Sequence, residues 1–125
     1  MNFKTINTNK IIPPQPPENE DDNREYKRHL IPIENKDFFY QKKAVQMQYR
    51  LHVGNGKALY LIGIEDNGSN KGISDDYLNR SIKNINKIAD IISADIKSIR
   101  IYQGLNGKVA TVRIENDIPK NIFIL

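Results

Sequence analysis

GNGKALYLIGIEDNGSNKGIS, residues 54–74, is the stretch around which this chain is organised. It opens on Gly54-Asn55-Gly56, continues as an apolar run from Ala58 to Ile64, and places Glu65 and Asp66 at the far end. It then turns at Asn67-Gly68 and closes at Gly72. A short run rich in Leu, Ile and Tyr and bounded by glycines predicts a largely buried strand. Its carboxylates emerge where that strand reaches water. Acids in turns commonly serve solubility and turn geometry; the alternative is a site at the strand end.

Upstream, Tyr40, Ala44, Met47 and Leu51 recur at helical spacing and predict a helix over residues 36–53, with Lys42, Lys43, Gln46 and Arg50 on its opposite side. Gly54 is expected to stop it in the left-handed conformation, with Arg50 and His52 near the negative end of its dipole. EYKRHLIPI, residues 25–33, reads as a short strand held to an edge or terminus by Pro32. Residues 1–22, with IIPPQPP running into an acidic cluster, lack periodicity and are expected to form a mobile arm.

Downstream, Lys71 to Ile73 is expected to return as a brief strand. Ser74 has the character of an N-cap, with Asp75 and Asp76 in the first turn. Leu78, Ile82, Ile85, Ala89 and Ile92 then form the stripe of a second helix. Residues 96–103 and 108–114 alternate on either side of Leu105-Asn106-Gly107 and predict a hairpin. The last residues, NIFIL, are apolar and strand-prone, an edge that would need covering. The expected fold is therefore α+β: one domain over residues 23–125, a mixed, mostly antiparallel sheet with two helices packed on one face.

Composition excludes several functions. The 125 residues suit one core. Without cysteine there is no disulfide, thiolate zinc site or cysteine nucleophile. His29 and His52 are too few for a histidine-rich metal site, so any divalent ion would rest on oxygen ligands, as magnesium or manganese does. No apolar run approaches the length of a membrane span and the N-terminus lacks a secretion pattern, so no membrane association and a cytoplasmic location are expected. The net charge of +4 is uneven, because residues 23–60 hold eight Lys or Arg against three Asp or Glu. Such a patch suits phosphate backbones, as it also suits a solvated helix face.

The run VQMQYRLHVGNGKALYLIGIEDNGSNKGIS, followed by SIKNINKIADIISADI, resembles the N-terminal domain of translational GTPases of the GTP-binding-protein-1 type. Gln46, Met47, Arg50, Gly54, Gly56, Tyr60, Ile62, Gly63, Asp66, Gly68, Gly72 and Ser74 carry the resemblance, which covers about residues 13 to 115. In that family a G domain follows. This chain has no G-x-x-x-x-G-K-[ST], so by itself it is not expected to hold GTP in a P-loop.

The resemblance implies a non-catalytic accessory domain that associates with tRNA, ribosomal RNA or the ribosome. Lys27, Arg28, Lys42, Lys43 and Arg50 are the candidate RNA contacts, and Tyr26, Tyr49 and Tyr60 candidate stacking groups. A competing expectation is a docking module for a GTPase, or self-association, through the C-terminal strand. A more distant likeness to the Schlafen AlbA-type domain implies a metal-dependent endoribonuclease. There Glu20, Glu25 and Asp66 would be the catalytic trio, and Glu25 and Asp66 would hold magnesium or manganese.

Overall fold

The computed structural model describes residues 4–33 and 35–116. Its elements run β1 (Lys4–Ile11), β2 (Arg24–Lys27), α1 (Lys36–Val53), β3 (Lys57–Ile62), α2 (Asp75–Ile91), β4 (Asp95–Gly104) and β5 (Gly107–Glu115). The strands form one sheet in the order β1-β4-β5-β3-β2. The inner pairings, β3 with β5 and β5 with β4, are antiparallel; the outer ones, β1 with β4 and β2 with β3, are parallel. The fold is the expected α+β single domain with a mixed sheet.

Side-chain alternation explains how the sheet is covered. Ala58, Tyr60 and Ile62 of β3 share a face with Ala110, Val112 and Ile114 of β5, and both helices pack there through Ala44, Met47, Leu51, Leu78, Ile85, Ile88 and Ala89. The helix over residues 36–53 has the bounds its periodicity predicts. Asn35 caps its start by accepting from the Phe38 N–H, and Ser74 does the same for α2 from the Tyr77 N–H. The stop of α1 differs from expectation. Gly54 has φ −91°, and the left-handed residues are Asn55 at +55° and Gly56 at +93°. Asparagine supports that conformation through its short polar side chain.

The strand expected over residues 25–33 is shorter, because side chains of α2 take its later backbone groups. Leu30 donates its N–H to Ser81 Oγ at 2.9 Å, and its carbonyl accepts from Asn84 Nδ2 at 2.7 Å. The edge position of β2 is as expected. The brief return at Lys71–Ile73 reduces to a single bridge between Ile73 and Lys108.

The expected arm is corrected over most of its length. Residues 4–11 form β1, and Ile12 is buried in a second, smaller apolar cluster with Tyr26, Leu61, Ile64 and Val109. This cluster lies on the sheet face away from the helices. Residues 12–23 form a strap linking the two sheet edges, fastened by Gln15 N–H to Gly68 O, Glu18 N–H to Asp66 O, Tyr26 Oη to Pro16 O and Asn70 Nδ2 to Ile12 O. Proline-rich backbone lacks donors for a ladder, so side chains and the glycine loop supply its partners. The C-terminal NIFIL segment lies outside the described residues.

Candidate functional site

The strap, β2 and α1 meet around one guanidinium. Arg50 leaves α1 three residues after Met47, on its buried side, and is 4% exposed. Its Nε donates to Glu25 Oε1 at 2.9 Å, while Nη1 donates to the carbonyls of Asn19 at 2.9 Å, Glu20 at 3.2 Å and Asp22 at 2.5 Å. Glu18 lies 3.7 Å from Nη2. The planar fork of arginine can serve a carboxylate and several carbonyls together. Burial opposes its charge, but Glu25, Glu18 and Asp22 outweigh that and raise its pKa.

Glu25 is 2% exposed and is closed from its other side by Lys27 Nζ, 3.2 Å from Oε2. Glu18 also serves the sheet: its Oε2 accepts from the Tyr26 N–H at 2.5 Å, which occupies a donor on the open side of edge strand β2. Burial, together with the nearby Glu25 and Asp66 carboxylates, raises the Glu18 pKa. Beneath this network lies the Tyr60 phenol, whose pKa is raised by burial and then by Glu25.

The predicted acidic trio is not assembled. Glu20 contributes its backbone carbonyl to Arg50 and to Tyr49 Oη, and its side chain is exposed. Asp66 is also exposed and holds the strap through its carbonyl. Glu25 already carries two cationic partners. Among the described residues, no group of three or more His, Asp or Glu is placed to hold a metal ion. Glu18 is the acid beside Glu25 that sequence reasoning passed over, because the Schlafen likeness pointed to Glu20 in that segment instead.

The predicted basic set divides. Arg50 is internal, one turn on from buried Met47 and next to buried Leu51, and does not face solvent. Lys27, Lys42 and Lys43 gather at the β2–α1 edge. The Lys43 amine is lowered to about 8 by burial first and then by its Lys27 and Lys42 neighbours. Lys43 Nζ also lies 5.8 Å from the Phe39 ring centroid, and Lys42 Nζ 5.9 Å from that of Phe38. Arg28 is exposed beside them in sequence. Of the tyrosines, Tyr26 and Tyr60 are core residues, while Tyr49 donates its hydroxyl to the strap and keeps an exposed ring.

GTP-binding protein 2 of Mus musculus is 34% identical over 107 residues, 86% of this chain. The chain is homologous to GTP-binding proteins 1 and 2. The human GTP-binding protein 2 matches at the same identity and span. GTP-binding protein 1 of Xenopus laevis is 26% identical over 85 residues, 68% of the chain. The chain spans 16% of the length of the GTP-binding protein 2 relatives. No protein-family model and no solved structure matches. Among the described residues no helix is long and apolar enough to cross a membrane.

Proposed function

We propose that the chain is a non-catalytic, RNA-associated accessory domain of a GTP-binding protein, corresponding to the N-terminal domain of that family and acting on tRNA, ribosomal RNA or the ribosome. The observation that carries this reading is the gathering of Lys27, Lys42 and Lys43 at one edge of the domain, where burial first and the two neighbouring ammoniums second lower the Lys43 amine to about 8. Such a cluster lacks enough acid to neutralise it: Lys27 pairs with Glu25, and the Glu25 charge is shared with Arg50. A phosphate placed there relieves repulsion among the ammoniums and gains charge-assisted hydrogen bonds.

The chemistry of the acids favours a structural role. Glu25, with one oxygen on Arg50 and the other on Lys27, has both of its oxygens engaged by cations rather than free for a metal ion. The test is filter binding of the full chain to tRNA and to ribosomal RNA at low salt, with Lys42→Glu/Lys43→Glu as the variant. Binding that falls roughly tenfold in the variant and steeply with salt is expected. No affinity at low salt, or an indifferent variant, would overturn the reading.

A further inference from the structure

The sheet face opposite the helices is closed by the strap around Tyr26, Leu61 and Val109, with Leu59 and Tyr102 packed at the margin of that cluster and partly open. Register fixes what the rest presents, since directly paired residues in neighbouring strands share a face. One row runs Lys4–Ser98–Arg113–Leu59–Arg24 across all five strands. The next runs Ile6–Arg100–Thr111–Leu61–Tyr26. At the usual strand spacing, Lys4 and Arg24 stand about 19 Å apart with Arg113 midway, and Arg100 is a diagonal neighbour of Arg113 at about 7 Å.

The charge on this face is one-sided. Lys4, Arg100 and Arg113 are exposed, and Arg24 is half-buried. Among the described residues, Lys4, Arg24 and Arg100 have no carboxylate within ion-pair distance; Arg113 lies 3.5 Å from Glu115, which with Asp95 marks the acidic end of the face. Between the cations stand the hydroxyls of Ser98 and Thr111 and the apolar flanks of Ile6 and Leu59. Tyr102, two residues beyond Arg100 and half-exposed, shares their side.

We propose that this face binds the backbone of single-stranded RNA. The inference rests on the RNA-associated reading above and adds a second contact surface, on the opposite side of the sheet from Lys42 and Lys43. A flat pleated surface with cations in a staggered line suits an extended strand, whose phosphates meet the guanidiniums while bases lie against Tyr102, Ile6 and Leu59. A duplex, being rigid and convex, meets few of these groups at once.

The experiment is fluorescence anisotropy of a labelled oligouridylate with the full chain, titrated at several salt concentrations between about 50 and 200 mM. Four phosphate contacts predict a log-log salt slope of about −3, and Arg100→Gln/Arg113→Gln is expected to weaken binding roughly tenfold and to flatten the slope by about 1.4. Arg100→Lys/Arg113→Lys retains most of the slope. Lys4→Gln, at a solvent-exposed position, provides a second readout and flattens it by about 0.7. If the parent binds but these variants bind equally well, or if duplex RNA binds more tightly than the single strand, the face is wrong and the accessory-domain reading stands. If the parent binds no RNA at all, both readings fall.

Discussion

Replacing Arg50 by methionine tests the central organisation directly. The change removes the buried partner of Glu25 and the donors serving the carbonyls of Asn19, Glu20 and Asp22, while keeping most of the side-chain volume. Hydrogen bonds to charged groups contribute about 1.5–3 kcal/mol each, but these share one guanidinium and do not add. The larger cost is Glu25, left 2% exposed with only Lys27 beside it. Breaking a buried pair from one side costs about 3–5 kcal/mol, so Arg50→Met is expected to lose that much in urea unfolding followed by circular dichroism. The double variant Arg50→Met/Glu25→Leu should recover part of the loss, because the buried Glu25 carboxylate is no longer stranded while Lys27, 17% exposed, loses its partner. A single variant within about 1 kcal/mol of the parent, or a double variant worse than the sum of the singles, would refute the account.

Further expectations follow from other contacts. Gly68→Ala should destabilise by about 2 kcal/mol or more, since its φ is +91° and a Cβ would stand 1.8 Å from the Gln15 carbonyl; the same unfolding assay reads it. Ser81→Ala strands the buried Leu30 N–H and should cost about 1–3 kcal/mol. Lys43 has a folded pKa of about 8 against 10.5, so the unfolded chain holds more protons between those values and stability rises with pH there. Lys43→Gln should abolish that rise in a pH series of melting temperatures. For Glu18, raised above 4.5, the folded state holds the extra proton, so stability falls as pH climbs through its folded pKa. Glu18→Gln keeps an acceptor for the Tyr26 N–H and should flatten that fall.

What the residues declared in advance was mainly periodic. Both helices, the Ser74 cap and the β4–β5 hairpin follow from local spacing and turn chemistry. The strap was illegible because proline-rich, acidic sequence has no period, and its partners, Gly68, Asp66 and Asn70, lie about fifty residues away. Arg50 was misplaced by treating charge as a sign of solvent. Its spacing of three from Met47 put it toward the inner side, and a buried arginine then demands nearby acids and carbonyls. The basic set expected between residues 23 and 60 divides for the same reason, some members pairing inward and others facing water.

The first strand has a consequence for synthesis. Lys4 pairs in register with Ser98, so β1 cannot dock until β4, about ninety residues further along, has also been made. Until then, the nascent chain carries β1 as an unmatched ribbon. Closure of so distant a contact is slow relative to helix formation, which makes this ribbon the point where a chaperone or a neighbouring nascent chain would engage first.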